Sequence, residues 1–253
     1  AMYDAALNGN FLAMAGESGS GKSTLREDLV ERLRRNAENV TVIEPYILSM
    51  SGGHDGKPLQ ARHISEAIFS TLAPDMRIPR SQETRDRKLH QLLRDSNGAG
   101  MRHVLIIEEA HDLHTHTLKS LKRFWELKDG MKRLLSIILI GQPELLEKLG
   151  SNRAEVREVV QRCMTIHLEP IRQPADFLAH RFKRAGAEVG DAFEPEALEA
   201  LRDRLIVARD MSGKGAYKGY PLAISNFAIA AMNAAADLGE RLVTADVVRQ
   251  VRA

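Results

Sequence analysis

The sequence is poor in cysteine, with Cys163 alone among 253 residues. A single thiol cannot close an internal disulfide or supply a cysteine-based zinc site, and this usage is typical of a reducing compartment. The sequence also lacks an apolar run of the about 18 to 20 residues that a membrane span requires. It does not open with a signal-peptide pattern either. These absences predict a cytoplasmic protein.

An excess of charge of one sign is also missing. The 36 basic and 34 acidic residues give a net charge of +2, so a nucleic-acid surface would have to be a local patch. With 43% hydrophobic and 28% charged residues, the composition excludes disordered, collagen-like and coiled-coil proteins. A chain of this length buries roughly three quarters of its unfolded surface, which suffices for one large or two small domains.

Hydrophobic patterning predicts alternating strands and helices, followed by an all-helical tail. The predicted strands cover residues 11–15, 40–43, 104–107, 134–140 and 164–168. The predicted helices cover residues 23–35, 61–73, 82–95, 116–128, 144–149, 154–162, 174–185, 195–207, 221–237 and 244–252. This order is typical of an α/β fold with a parallel sheet covered by helices. We therefore expect an α/β domain at 1–172 and a smaller helical domain at 173–253.

A complete phosphate-binding loop follows the first predicted strand. The pattern G-x-x-x-x-G-K-[ST] is satisfied by Gly16, Glu17, Ser18, Gly19, Ser20, Gly21, Lys22 and Ser23, with Thr24 next. Glycines let the backbone wrap a phosphate, and the N–H groups of the loop and helix start stabilise its charge. Lys22 is expected to reach the β- and γ-phosphates of ATP, and Ser23 to ligate Mg²⁺. The alternative is a glycine-rich turn that binds nothing.

Two acidic residues, Glu108 and Glu109, directly follow the strand at 104–107. The usual pair in P-loop ATPases is Asp then Glu, so we assign Glu108 to Mg²⁺ and Glu109 to polarising the attacking water. Glu108 is one methylene longer than Asp, which puts the metal geometry and the rate of hydrolysis in question. A nucleotide-gated switch with negligible turnover is therefore an alternative, as is a chance pair of acids at a strand end.

Other P-loop classes are less compatible with the sequence. ABC transporter ATPases carry an LSGGQ-type signature shortly before the acidic strand. The similar string Met50-Ser51-Gly52-Gly53-His54 lies more than 50 residues too early and has no glutamine, which excludes this class. A small-molecule kinase is not excluded by motif, but it would not need the helical tail.

Four further motifs carry a resemblance to a known family. They lie at Leu105–His111, at Ile138–Leu146, at Val160-Gln161-Arg162, and at Gly219-Tyr220-Pro221. Over about residues 7–250, the chain resembles AAA+ ATPases of the MuB, TniB and TnsC transposition-regulator group and the related ExeA-type secretion ATPases. The resemblance implies a P-loop AAA+ fold with a C-terminal helical lid, and a bacterial, phage or transposon source.

The resemblance also implies roles for single residues. Gln142 matches the sensor of the γ-phosphate, and its alternative is a polar turn residue before Pro143. Arg162 matches the arginine finger that reaches the ATP of a neighbouring subunit, and its alternative is a solvated helix-end cation. Arg157 is a weaker candidate for the finger. A second sensor arginine is not supported, because the late helix opens with Pro221-Leu222.

The start of the chain departs from the resembled group. Only about ten residues precede the first predicted strand, whereas these ATPases carry an adenine-cupping segment and an upstream DNA-binding or partner module. Ala1 before Met2 is typical of the remnant of a cleaved expression tag. We therefore expect the natural protein to begin further upstream.

Local charge is uneven. Residues 77–94 and 119–133 each carry six basic and two acidic residues, a net charge of +4. The candidate DNA contacts are Arg77, Arg80, Arg85, Arg87, Lys88, Lys119, Lys122 and Arg123, with Lys214, Tyr217 and Lys218 in a late loop. Stacked in a ring or filament, these groups would follow the backbone of double-stranded DNA without reading bases. The alternative is solvated helix faces.

Histidine, cysteine and tryptophan add little to this prediction. His111, His114 and His116 do not have metal-site spacing and are interpreted as a polar loop and helix cap. Cys163 is expected to be buried and inert, and Trp125 to lie in the core.

Together, the resemblance and the local charge predict an ATP-dependent matchmaker. ATP would bridge the subunits of a homo-oligomer on DNA, the oligomer would recruit a transposase, and hydrolysis would dismantle it. The alternative is an ExeA-like ATPase of secretion or envelope assembly that acts on protein partners.

Overall fold

The structure is a computed structural model that describes residues 1–46, 59–150, 159–207 and 216–251. The chain forms two compact units: Ala1–Gly16 with Lys22–His167, and Glu17–Gly21 with Leu168–Ala253. Arg157, Lys214, the string Met50–His54 and most of the predicted helix at 154–162 lie outside the described residues.

The first unit is built on a parallel sheet of five strands. The chain order of strands is β1 (Phe11–Ala15), β2 (Val40–Ile43), β3 (Arg102–Ile107), β4 (Lys128–Asp129), β5 (Lys132–Arg133), β6 (Ser136–Gly141) and β7 (Cys163–His167). The sheet has the order β2-β3-β6-β1-β7, and β4 pairs with β5 in a separate hairpin. Every residue of β1 and β6 is buried, as expected for central strands of a parallel sheet.

Helices flank this sheet. They are α1 (Met2–Leu7), α2 (Lys22–Arg35), α3 (Ala61–Leu72), α4 (Gln82–Gly98), α5 (Thr115–Trp125) and α6 (Glu144–Gly150). Buried residues at helical spacing, such as Ile64 and Ile68 of α3 and Leu89 and Leu93 of α4, join one core with the strands. The predicted α/β fold with a helix-flanked parallel sheet is confirmed.

The second unit is a helical domain with its own core. Its elements are α7 (Pro174–Arg184), α8 (Pro195–Arg204), β8 (Ile206–Val207), β9 (Ala216–Tyr217), α9 (Pro221–Leu238) and α10 (Ala245–Gln250). Proline begins α7, α8 and α9, where a missing N–H costs no hydrogen bond. Gly239 ends α9 with a φ of +72°. No helix among the described residues has the length and apolarity needed to span a membrane.

The structure departs from the predicted elements in three places. The short helix α1 was not predicted, although Ala5 and Ala6 are buried in it. The predicted helix at 116–128 ends at Trp125 and is followed by the β4–β5 hairpin around Gly130. The tail is not wholly helical, because β8 pairs with β9. Ladders of two residues are too short to produce a detectable hydrophobic period.

Candidate active site

Sheet topology collects the predicted site residues at the carboxyl edge of the sheet. Strand β6 lies between β1 and β3, and Ala15 at the end of β1 pairs with Gly141 at the end of β6. Gln142, directly after β6, is therefore placed between the start of the phosphate loop and Glu108 directly after β3. Ligands of open α/β sheets bind outside this edge.

The phosphate loop has the backbone that the motif requires. Gly19 and Gly21 have φ angles of +77° and +91°, which side chains disfavour. The ammonium group of Lys22 donates a hydrogen bond to the carbonyl oxygen of Gly16 over 2.7 Å. Helix α2 begins at Lys22, so its free N–H groups lie at the end of the loop. The loop is thus closed into a ring by the side chain that is expected to bind phosphate.

A buried hydroxyl group in this loop tests whether the loop fits a phosphate. Ser20 is only 9% exposed, and its Oγ has no hydrogen-bond partner. A buried polar atom without a partner costs about 1–3 kcal/mol. An anionic phosphate would supply an acceptor, so the loop residues fit a nucleotide phosphate. Ser23 lies exposed in the first turn of α2, as a ligand of Mg²⁺ would.

Within the second unit, the start of α9 packs on residues 17–21. The N–H group of Leu222 donates to the carbonyl oxygen of Gly19 over 3.2 Å. A Cβ atom added at Gly19 would lie 2.8 Å from the Cβ of Leu222. Burial, together with the charges of Glu17 and Glu169, raises the pKa of Tyr220. The side chain that packs on Gly19 is thus the apolar Leu222, at the start of the late helix where many AAA+ proteins carry an arginine.

An ion triad that the sequence analysis missed lies beside the acidic pair. Arg26 of α2 donates from Nη2 to Oε1 of Glu44 over 2.7 Å, and its Nε is 3.6 Å from Oε2 of Glu108. Burial opposes the charged form of Arg26, but the hydrogen bond and charge of Glu44 and the charge of Glu108 raise its pKa overall. Arg26 is thus a fixed cation that orients Glu108. Two features of the sequence could have indicated this triad. Glu44 directly follows β2, and Arg26 lies one helical turn after Lys22.

Glu109 has an unusual backbone. Its φ of +47° lies in the left-handed region, which costs a non-glycine residue about 1–3 kcal/mol. Its Oε2 lies 3.4 Å from Nδ1 of His111, and its side chain is 51% exposed. The surrounding structure thus holds this carboxylate in a strained but accessible position.

His111 links Glu109 to Gln142. Its Nδ1 accepts a hydrogen bond from the N–H group of Gln142 over 3.3 Å, and its carbonyl oxygen accepts one from Lys148. His111 therefore contacts two residues of the predicted active site, whereas the sequence analysis interpreted it as part of a polar loop. His114 directly precedes α5 and His116 lies in its first turn. In the described ranges, no group of three or more His, Cys, Asp or Glu is arranged to hold a metal ion.

Arg162 lies away from the phosphate loop of its own chain. It directly precedes β7, at the amino edge of the sheet, and its Nη1 lies 3.7 Å from Oε1 of Glu126. Glu126 also lies 3.6 Å from the ammonium group of Lys122. The structure therefore does not bring Arg162 together with Lys22, Glu109 and Gln142.

The two basic clusters meet at the β4–β5 hairpin. Arg94 of α4 pairs with Asp129 over 3.1 Å, and Nε2 of His90 contacts the carbonyl oxygen of Lys128 over 2.9 Å. The exposed candidate DNA contacts are Arg77, Arg80, Arg87, Lys119 and Arg123, and the half-buried ones are Arg85, Lys88 and Lys122. The Tyr217 hydroxyl group donates to Ile171 over 2.7 Å inside the second unit, so it is engaged in structure; Lys218 is exposed.

Cys163 is half-buried, not fully buried as the sequence analysis expected, whereas Trp125 lies in the core as expected. Burial raises the pKa of the Cys163 thiol to about 12, so the thiolate is not populated near neutral pH. Trp125 is 7% exposed, and its Nε1 donates to the carbonyl oxygen of Gly9 over 2.8 Å.

A curated relative shares sequence with this chain. General secretion pathway protein A of Aeromonas hydrophila is 28% identical over 200 residues, which cover 76% of this chain and 33% of that protein. The chain therefore spans about a third of the length of the relative that it matches.

Solved structures share its fold at low identity. Cdc6p from Pyrobaculum aerophilum has a TM-score of 0.59 at 15% identity and covers 92% of this chain and 57% of its own. The Aeropyrum pernix ORC2 protein has a TM-score of 0.59 at 18% identity, and the match covers 98% of this chain and 63% of that protein's chain. Drosophila ORC bound to DNA has a TM-score of 0.61 at 14% identity, and the match covers 98% of this chain and 56% of that chain.

The family follows from these observations. The fold of the chain is shared with Cdc6p and ORC proteins, and Gly16, at the start of the phosphate loop, and Glu108 each directly follow a strand at the carboxyl edge of its sheet. These comparisons do not single out the transposition regulators, which stay a prediction. The sequence profile of the AAA domain family matches residues 6–149, more than half of the chain. The chain therefore belongs to the AAA domain family, within the AAA+ ATPases.

Proposed function

We propose that this protein binds and hydrolyses ATP at the carboxyl edge of its sheet and uses the cycle to assemble on double-stranded DNA. The observation that carries the ATPase part is the phosphate loop, in which Lys22 donates to Gly16 and the Ser20 hydroxyl group is buried and unpartnered. Assembly on DNA would serve to recruit a transposase to target DNA.

Residues of this chain have separate tasks in the proposed reaction. The loop N–H groups and Lys22 bind the phosphates of ATP. Ser23 and Glu108 would hold Mg²⁺, which neutralises phosphate charge when bound. Arg26, whose Nε lies 3.6 Å from Oε2 of Glu108, would keep this side chain oriented although it is one methylene longer than aspartate.

Glu109 acts on the attacking water in this proposal. It accepts a proton from the water as the water oxygen bonds to the γ-phosphorus. The bond from the γ-phosphorus to the bridging oxygen breaks, and ADP leaves with the electron pair. His111 would hold Glu109 and Gln142 in place, because its Nδ1 accepts from the backbone N–H group of Gln142 over 3.3 Å and lies 3.4 Å from Oε2 of Glu109.

Arg162 is proposed to act between subunits. Its place at the amino edge of the sheet, away from Lys22 of the same chain, supports contact with the ATP of a neighbouring molecule. Such an arginine contributes about 10³–10⁵-fold to the rate. ATP would then stabilise the homo-oligomer by binding that form preferentially.

Binding to DNA is supported by charge and by likeness. The exposed cations of α4, α5 and the β4–β5 hairpin lie on neighbouring elements, where a phosphate backbone could follow them. Drosophila ORC, which has a similar fold, is bound to DNA in its structure. A second candidate, action on protein partners in secretion, is favoured by the similarity to General secretion pathway protein A.

The deciding experiment is fluorescence anisotropy of a labelled random duplex with ATP, ADP or no nucleotide over a salt series. We expect binding that requires ATP, falls steeply with salt and ignores sequence. Arg77→Gln should lower the salt slope by about 1, whereas the matched control Arg35→Gln, on α2, should leave it unchanged. Absence of duplex binding while ATP is bound would reject the DNA role and favour a protein partner.

A further inference from the structure

A cavity of about 430 Å³ lies in the first unit between α3, α4 and α5. Its wall contains none of the residues assigned to the phosphate loop or the acidic strand end. The volume falls in the range of about 300–1,000 Å³ that is typical of small-molecule sites. The proposed ATPase cycle gives this cavity no task.

Each of the three helices contributes an arginine to the wall. These are Arg62 from α3, Arg85 from α4 and Arg123 from α5. Arg62 is already paired with Glu66 at 2.7 Å. Within the described part of the chain, no salt bridge is formed by Arg85 or Arg123, and Asp86 is the acidic residue of the wall. With Arg62 compensated by Glu66, the guanidinium groups of Arg85 and Arg123 outnumber the single carboxylate of the wall, so the cavity is a place where an anion is stabilised.

Arg85 provides a second, independent observation. Its Nε atom is buried and has no hydrogen-bond partner. A buried donor of this kind is rare in proteins and requires an explanation, since leaving it unpaired costs about 1–3 kcal/mol. Because Nε itself is closed to solvent, an acceptor in the cavity would remove this cost after a shift of the Arg85 side chain.

The rest of the wall is mixed, with the polar residues Ser65, Gln82, His116 and Ser120 beside an apolar part formed by Leu89, Phe124 and Leu127. Leu89 is 2% exposed, and Phe124 and Leu127 are half-buried. A ligand that uses the whole cavity therefore has an anionic head for the arginines and an apolar body for these three side chains.

We propose that this cavity, called here the arginine cavity, binds a small organic phosphate monoester with an aromatic or aliphatic body. Phosphate suits it better than carboxylate because a guanidinium fork makes two parallel hydrogen bonds to phosphate oxygens and three tetrahedral oxygens can meet several arginines. The proposal does not depend on the ATPase or DNA roles.

Isothermal titration calorimetry with phenyl phosphate tests the proposal. The titration uses the Lys22→Ala variant, whose phosphate loop lacks the ammonium group expected to bind phosphate, so that the heat reports on the cavity. We expect one saturable site, with weaker binding of benzoate and of inorganic phosphate, which lack the head and the body respectively. Absence of saturable binding at about 10 mM, or tighter binding of benzoate, would overturn the proposal.

Variants locate the site. Arg85→Gln and Arg123→Gln should each weaken phenyl phosphate binding about 10- to 100-fold, because each removes a charged hydrogen-bond donor. Arg94→Gln, on α4 but outside the cavity wall, is the control and should bind as the parent chain does. Should Arg85→Gln not fold, Arg85→Lys keeps the charge without the fork and should still weaken binding. Equal affinity in all variants would overturn the assignment.

A titration in the presence of duplex DNA distinguishes a small phosphate ligand from the phosphates of the DNA backbone. Arg85 and Arg123 are also candidate DNA contacts, so a titration is repeated with saturating duplex. Retained phenyl phosphate binding is expected, which would assign Arg85 and Arg123 to the cavity and leave Arg77, Arg80 and Arg87 as DNA contacts, since a backbone phosphodiester has no apolar body to fill the wall. Displacement of phenyl phosphate would overturn a separate small-ligand site.

Discussion

Arginines in two regions of the first unit have opposite surroundings. At the carboxyl edge, Arg26 lies between two carboxylates, Glu44 at 2.7 Å and Glu108 at 3.6 Å. In the arginine cavity, Arg85 and Arg123 share a wall with one carboxylate, Asp86. A compensated arginine holds its partners in place, whereas an undercompensated one attracts an anion from outside the chain. Counting arginines in the sequence would not separate these tasks.

The largest effect is expected at the carboxyl edge of the sheet, at Glu109, which follows Glu108, the partner of Arg26. Glu109→Gln keeps the size of the side chain but cannot accept a proton, so the ATPase rate should fall about 10²–10⁴-fold. ATP affinity, measured with a fluorescent analogue, should change little, because the phosphates are bound by other residues. Glu27→Gln, on the outer part of α2, is the control. An unchanged rate in Glu109→Gln would remove this residue from the reaction.

A smaller effect is expected for the compensated arginine. Arg26→Gln frees Glu108, so activity should fall about 10- to 100-fold, as for other residues that orient metal ligands. The Mg²⁺ concentration for half-maximal activity should rise, and Arg26→Lys should restore part of it. A merely structural role would lower melting temperature without moving the Mg²⁺ dependence. Arg35→Gln, which breaks a surface pair with Glu31, is the matched control.

The smallest effect tests backbone rather than charge. Gly19→Ala places a side chain at a φ of +77° and 2.8 Å from the Cβ of Leu222. We expect a loss of about 1–3 kcal/mol in unfolding free energy, together with weaker nucleotide binding. Gly98→Ala, at the end of α4 with open space around it, should be neutral or slightly stabilising in urea denaturation. Equal losses in both variants would contradict the strain argument.

Much of the fold was predictable because its elements have strong local signals. Strand β1 and the start of α2 lie within a residue of their predicted bounds, since a buried apolar run and a glycine-rich motif mark them. The hairpin at Lys128–Arg133 was missed because its pairs follow turn geometry rather than hydrophobic period. The roles assigned to Glu108, Glu109, Gln142 and Arg162 stay predictions.

By itself, the sequence determined the phosphate loop, the acidic strand end and the order of the longer strands and helices, because each of these is encoded by residues close together in the chain. Only the tertiary structure decided that Arg26 joins Glu44 to Glu108, that His111 lies between Glu109 and Gln142, and that three helices bring arginines into one cavity. These contacts join residues from different elements, and the sheet order and helix packing that create them leave no local pattern in the sequence.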